Sequence, residues 1–211
     1  LGGGTFDVTI VDVTDKAINV LATDGADELG GKDWDDAIIR HVASKFEDKH
    51  GIDPLVDLAA YNALRQKCVS AKLSLTRRPK VRVFYDFEGK VLREEITREL
   101  FESLTVGLMR RLESMMLDVL DDADIEPSEI DRVILAGGAT RMPMVRALID
   151  RIFGEPPTAD VNPDECVALG AALEAAVCSA ELAGETSALP LRTHDVKSHS
   201  LGMVVFRKEQ L

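Results

Sequence analysis

The sequence has no apolar run of the roughly 18 or more residues needed to span a bilayer and no charged-then-apolar leader at its start. The expectation is therefore a soluble, cytoplasmic protein with no membrane partner. Cysteine is scarce: Cys68, Cys166 and Cys178 are odd in number, share no metal-ligand spacing and read as reduced structural thiols, two of them inside helical patterns. His41, His50, His194 and His199 also lack metal spacing and read as surface residues. Cations are in deficit, with 25 Lys and Arg against 37 Asp and Glu and a formal net charge of −12. A surface of that sign repels a phosphate backbone on average, which argues against non-specific nucleic-acid binding. Any anion site must then be local, made of backbone amides and a few chosen cations.

What is present suits a packed core. The chain has 211 residues, 45% of them hydrophobic, enough for one large or two small domains. It starts without Met, inside a motif, and so reads as a piece of something longer. Gly2, Gly3 and Gly4 run into Thr5-Phe6-Asp7-Val8-Thr9-Ile10, whose polar–apolar alternation marks a strand with one buried face. Glycines at a strand start let amides converge on an anion, and Thr5 adds a hydroxyl at the rim. A second strand, from Ala17 to Thr23, completes an antiparallel hairpin. Gly30-Gly31-Lys32-Asp33-Trp34-Asp35 then leads into a helix with Ile38, Ile39, Val42 and Phe46 on one side, stopped by Gly51. Asp33 and Asp35 beside that helix start read as dipole-favoured, solvated acids, with a metal pair as the alternative.

A second helix is expected from about Leu55 to Leu75, then a hairpin of Val81 to Tyr85 and Val91 to Ile96 turning at Gly89. Thr97 caps the longest helical pattern, with Phe101, Leu104, Leu108, Leu112, Met115 and Val119 as its stripe and Asp121, Asp122 and Asp124 at its end. Arg132 to Ala136 is a continuous apolar run of the kind that fits a strand buried on both faces. It ends in Gly137-Gly138-Ala139-Thr140-Arg141-Met142-Pro143 before another helix, a second place where backbone amides can meet a ligand. Asn162-Pro163-Asp164-Glu165 is the clearest helix start in the chain. The Ala- and Gly-rich helix after it, Ala168 to Val177, is expected to pack closely on the sheet. From Glu181 the composition becomes that of a linker, and Ser200 to Phe206 reads as the first strand of an unfinished unit.

Two glycine turns and an Asn-Pro-Asp-Glu helix start, in this order, resemble the second lobe of the nucleotide-binding domain of DnaK-type heat-shock chaperones, the 70-kDa heat-shock protein family. The resemblance implies an α/β fold: a lobe of the actin-like, ribonuclease H-like ATPases, a mixed β-sheet with flanking helices plus a small α+β subdomain. By it, residues 1–180 are that lobe, with the small cleft subdomain at about 31–97; residues 181–196 are an interdomain linker, and 197–211 begin a β-rich peptide-binding domain. It further implies ATP or ADP as ligand, with Mg²⁺ in the full-length parent, unfolded peptide clients, a J-domain co-chaperone and a nucleotide exchange factor. Gly2, Gly3, Gly4 and Thr5 match the family's second phosphate loop, with Thr5 positioning the reacting end. Gly137, Gly138 and Arg141 match the segment lining the adenosine, Asp164 the acid near it, and Lys72 and Thr76 two adenosine-contacting positions. No metal-ligating residue is assigned. Gly30, Gly31, Asp33 and Asp35 match a loop facing the upper subdomain of the cleft.

The departures also matter. Val69 stands where the family usually has a Glu that binds ribose, which forfeits about 1 kcal/mol of hydrogen bonding. Leu73 replaces an Arg found in some members, Lys32 replaces a common acid, and Leu189-Pro190-Leu191-Arg192 is less apolar than the family's linker. The first phosphate loop and the catalytic Lys of the other lobe are not in this sequence, so the fragment alone is expected to be catalytically incomplete. Two alternatives stand beside the ATPase half: a non-catalytic interaction lobe that docks co-chaperones or exchange factors, and a small-molecule kinase of the same superfold.

Overall fold

Alternation along the opening segment produces β1 (Phe6–Val13), which pairs antiparallel with β2 (Ala17–Ala26). The computed structural model describes residues 1–15, 17–158, 161–184 and 192–194. Phe6 and Ile10 turn inward on β1 while Thr9 faces its partner Thr23 across the ladder, hydroxyl to hydroxyl at 2.9 Å. The register shifts between Ile10 and Val11, so the far end of the hairpin leaves the core and Val13 is exposed.

Helix α1 (Gly31–His50) follows at once and buries Trp34, Ile38, Ile39, Val42 and Phe46 on one face. Gly51 ends it in the left-handed region, its amide bonded to the Glu47 carbonyl. Helix α2 (Leu58–Leu75) starts where the Asp57 carboxylate accepts the Ala60 amide at 2.7 Å. Strands β3 (Lys80–Phe87) and β4 (Lys90–Thr97) form a second hairpin around Glu88 and Gly89, both at positive φ. Phe46 of α1 meets Tyr85 of β3 edge-on at 5.2 Å between ring centroids, and the Tyr85 hydroxyl donates to the Ala60 carbonyl of α2. These contacts lock two helices and a hairpin into one unit.

The long helical stripe after Thr97 is two helices, not one. Thr97 caps α3 (Arg98–Leu104) as expected, accepting the Leu100 amide at 3.1 Å. The chain then breaks at Thr105, whose buried hydroxyl donates back to the Phe101 carbonyl at 2.9 Å, before α4 (Val106–Asp122). The break turns the stripe: Leu112, Met116, Val119 and Leu120 are buried on α4, while Met115 is half-buried. Ile10, Ala22, Val119 and Leu120 form a small second core under the first hairpin, and the main core runs from Phe6 and Trp34 through Phe101 to Ile149.

Two further expectations are corrected. Arg132 to Ala136 is not a strand buried on both faces: among the described residues it makes only a bridge between Ile134 and Thr158, and Ile134 is 60% exposed. A ladder needs a neighbour that bonds every second residue, and here Thr158 supplies one bond, to the Val133 carbonyl, and Leu1 another, to Ala136. Nor does α6 (Cys166–Ala183) pack on the sheet; Val167, Leu169 and Leu173 are all more than half exposed. Its Ala and Gly surface offers little area unless a backbone comes very close, and among the described residues none does. Between these segments, α5 (Pro143–Phe153) carries Pro143 in its first turn, buries Val145, Leu148 and Ile149, and ends at Gly154. A three-residue strand, β5 (Arg192–His194), runs parallel to β2 within the segment read as a linker. The expectations for Leu189 to Leu191 and for everything from Asp195 onward lie outside the described residues.

Candidate functional site

The first glycine turn is closed on itself and then fastened to a helix start. The Gly2 amide donates to the Thr5 carbonyl at 2.9 Å. The Gly31 amide donates to the Gly2 carbonyl and the Lys32 amide to the Gly3 carbonyl, each at 2.9 Å. Two of the orphan amides at the N-terminus of α1 are thus spent on the turn. The fit requires glycine, because a Cβ at Gly30 would overlap the backbone of Gly4. Gly3 and Gly4 have open space on their own Cβ sides, and the Thr5 side chain is exposed at the rim.

The second glycine turn arrives at the same place. The Leu1 nitrogen donates to the Ala136 carbonyl at 2.8 Å, and Gly137, at φ 92°, lies so close to Leu1 that a Cβ there would overlap the Leu1 carbonyl. A Cβ at Gly31 would touch both Ala139 and the Gly2 carbonyl, so the two turns and the start of α1 share one junction. Gly137 also donates to the Pro163 carbonyl at 2.6 Å, which brings in the Asn-Pro-Asp-Glu segment. Asn162 caps there as expected, its side chain accepting the Asp164 amide at 3.1 Å, though the helix proper begins only at Cys166. Arg141 reaches across to the Asp164 carboxylate at 2.6 Å and to the Asn162 amide oxygen at 3.3 Å. Arg141 and Asp164 are 46% and 56% exposed at their side chains, so the pair orients the guanidinium more than it stabilises the fold.

Lys72 enters from α2. Its ammonium donates to the Gly31 carbonyl at 2.6 Å and to the Asp35 carboxylate at 2.9 Å. Asp35 is therefore a buried ion-pair partner and not a solvated acid, while Asp33 keeps the helix-start role, accepting the Gly30 amide at 2.7 Å. Burial pushes the Asp35 carboxyl above its usual range, against the pull of the Lys72 hydrogen bond. Its second oxygen, Oδ1, and the indole Nε1 of neighbouring Trp34 are buried with no partner among the described residues. Thr76 ends α2 one turn beyond Lys72, half-buried, and no hydrogen bond among the described residues joins it to either glycine turn. Cys68, one turn before Lys72, is buried with its thiol pushed up to about 12, an inert packing group. No cluster of three or more potential metal ligands occurs among the described residues.

The structure thus gathers Gly2, Gly3, Gly4, Gly31, Lys72, Gly137 and Gly138 around one junction, with Arg141 and Asp164 beside it. The Asp35–Lys72 pair carries no local sequence signal, since its members lie on different helices, and the carbonyls of Ala136 and Pro163 have no residue-type signature at all.

An open glycine turn with oriented cations beside it is an arrangement that can hold an anionic ligand at close range. Residues 1–208 match the family model described as Hsp70 protein. The chain is 45% identical over 188 residues to the chaperone protein DnaK of Halobacterium salinarum, covering 86% of this chain and 30% of that protein. It is 42% identical over 194 residues to the DnaK of Thermosipho africanus, covering 89% and 32%. With the DnaK of Thermotoga neapolitana the identity is 44% over 184 residues, covering 84% and 31%. The chain belongs to the Hsp70 family. It spans about a third of the length of the curated relatives it matches. Membership implies the actin-like ATPase fold, and the mixed α/β arrangement with small sheets agrees with it. No helix among the described residues is long and apolar enough to cross a membrane.

Proposed function

We propose that the chain is the second lobe of the nucleotide-binding domain of a DnaK-type chaperone, and that it supplies half of an ATP site whose hydrolysis is coupled to peptide binding in the complete protein. The observation that carries this reading is the junction of Gly2 to Gly4 with the start of α1 and with the Gly137 turn. Nucleotide fits it: amides and open glycine space suit phosphates, and the exposed, oriented Arg141 plane suits a base. In this reading Gly2, Gly3, Gly4 and Thr5 hold the terminal phosphates, with Thr5 at the reacting end. Gly137, Gly138 and Arg141 line the adenosine, and Asp164 and Asn162 hold the Arg141 side chain in place. Lys72 uses two of its three ammonium protons on Asp35 and Gly31, which leaves one for the nucleoside. Mg²⁺ would bind through phosphate oxygens, neutralising charge at the transferring group. Residues 1–180 form the lobe, with a small subdomain at about 31–97, followed by a linker at 181–196 and the start of a peptide-binding domain. J-domain co-chaperones, exchange factors and peptide clients are the partners this role requires.

Calorimetric titration with ADP tests the reading. Binding is expected, and Arg141→Ala is expected to weaken it on the order of tenfold. The isolated chain should not turn over ATP, and activity surviving extensive purification would count against the division of labour between lobes. Val69, apolar where a ribose acceptor belongs, favours a second reading in which the lobe docks partners without holding nucleotide; no heat with either the native chain or Arg141→Ala selects it.

A further inference from the structure

The hairpin of β3 and β4 is two strands wide, and its turn decides which backbone groups are already bonded. A two-residue turn makes Phe87 and Lys90 a hydrogen-bonded pair. The register continues that pattern through Tyr85–Leu92, Val83–Glu94 and Val81–Ile96. The N–H and C=O groups of Arg82 and Phe84 therefore point away from β4, and among the described residues no third strand takes them. An open edge of this kind is a template for another chain.

Beside the edge lies an open groove of about 490 Å³, bounded by β3 from Val81 to Phe84 and by a flank of α2 that includes Ala63, Lys67, Ser70 and Ser74. None of its lining residues belongs to the glycine turns. The flank is made largely of small side chains, which leaves room for those of an incoming strand. The hydroxyls of Ser70 and Ser74 are bonded back to their own helix, at 2.9 Å each, and ask nothing of an occupant. Phe84 is 49% exposed on the outer face with the Arg93 guanidinium 5.5 Å from its ring, an apolar step flanked by positive charge.

The charge pattern selects the occupant. From Leu58 through Tyr85 the chain carries seven Lys or Arg residues and no Asp or Glu, although its net charge is −12. Within the groove Lys67 forms no ion pair among the described residues, and Arg82 shares the single Glu95 carboxylate with Lys80. A strand with carboxylates would find complementary charge here, in a stretch free of acidic residues on an otherwise acidic chain.

We propose that the β3 edge takes an extended, acidic peptide segment of a partner protein as a third strand, its backbone bonded to Arg82 and Phe84 and its carboxylates facing Lys67 and Arg82. The probe is an acetylated, Glu-rich peptide of about eight residues, long enough for an ordinary strand, with Glu at adjacent positions so that both faces of the strand carry carboxylates. It is titrated into the ¹⁵N-labelled full chain. Amide exchange at Arg82 and Phe84 should slow on the order of tenfold, while Val81 and Val83, already bonded to β4, stay unchanged. Phe84→Pro removes an outward amide but no ladder bond, and should abolish binding. Should that variant fail to fold, the pair Lys67→Glu and Arg82→Glu, which leaves the backbone intact, should weaken binding at least about tenfold. The proposal is overturned if the shifts map away from β3 or if the charge-reversed variant binds the peptide as tightly as the native chain. A single-stranded oligonucleotide of equal charge that binds the groove equally well also overturns it, since that would mark a phosphate site and not strand addition.

Discussion

Two glycines with positive φ separate conformational cost from steric cost. Gly51 has open space where a Cβ would go, whereas a Cβ at Gly137 would collide with the Leu1 backbone. Gly51→Ala is expected to cost about 1 kcal/mol, and Gly137→Ala about 3 kcal/mol or more with loss of nucleotide binding, both read by urea denaturation. The Asp35–Lys72 pair gives a second residue-scale test. Lys72→Met strands a buried carboxylate and should destabilise by about 3 kcal/mol, while adding Asp35→Leu should recover most of that loss. The pH dependence follows from the sign of the shift. A carboxyl raised in the folded state binds its proton more tightly there than in the unfolded chain, so stability linked to Asp35 is lost as pH climbs from the usual carboxylate range through the raised value. Asp35→Asn should remove that portion of the slope in a stability–pH profile and leave the rest unchanged.

At the scale of elements, end signals were more legible than burial. Asp57 shows what a cap contributes: replacing it with Ala frees the Ala60 amide and should cost about 1 kcal/mol, measured as a lower urea midpoint with unchanged slope. Both hairpins, the starts of α1 and α5 and the Thr97 cap could be read from the sequence because alternation, Gly, Pro and Thr act locally. The break at Thr105 could not, since a Thr inside an apolar stripe looks like any other helical residue until its hydroxyl turns back on Phe101. The exposure of α6 and of Ile134 was equally hidden. Apolar composition announces that a surface can be buried, not that a neighbour is there to bury it. In the candidate site, the glycine turns, Arg141 and Asp164 were visible as local motifs. The ion pair that holds Lys72 joins helices distant in sequence, and no periodicity encodes it.

On the scale of the whole molecule, the main core runs unbroken from Phe6 on β1 to Ile149 on α5, passing through the α1–α2–hairpin unit. That continuity predicts one cooperative transition. Trp34 is the sole tryptophan and fully buried, so its emission reports on the core while far-UV ellipticity reports on all helices. The two signals should change together in urea, and Phe46→Ala should shift both midpoints equally, by an amount corresponding to about 4 kcal/mol. Separated midpoints would show that the α1–α2–hairpin unit melts alone.

Helix α1 gives this continuity a mechanical meaning. At its first turn it is bonded to Gly2 and Gly3, and at its last turn His50 and Lys49 hold the Val91 carbonyl while Lys90 holds the His50 carbonyl. A rod of 20 residues is about 30 Å long, so a tilt of about 5° at the glycine end displaces the hairpin end by about 3 Å. A displacement at the glycine turn would reach the far hairpin along α1, with α2 as a second tie through Lys72 at Gly31 and Ala60 at Tyr85, and a strand clamped on β3 would load the same two helices from the opposite end.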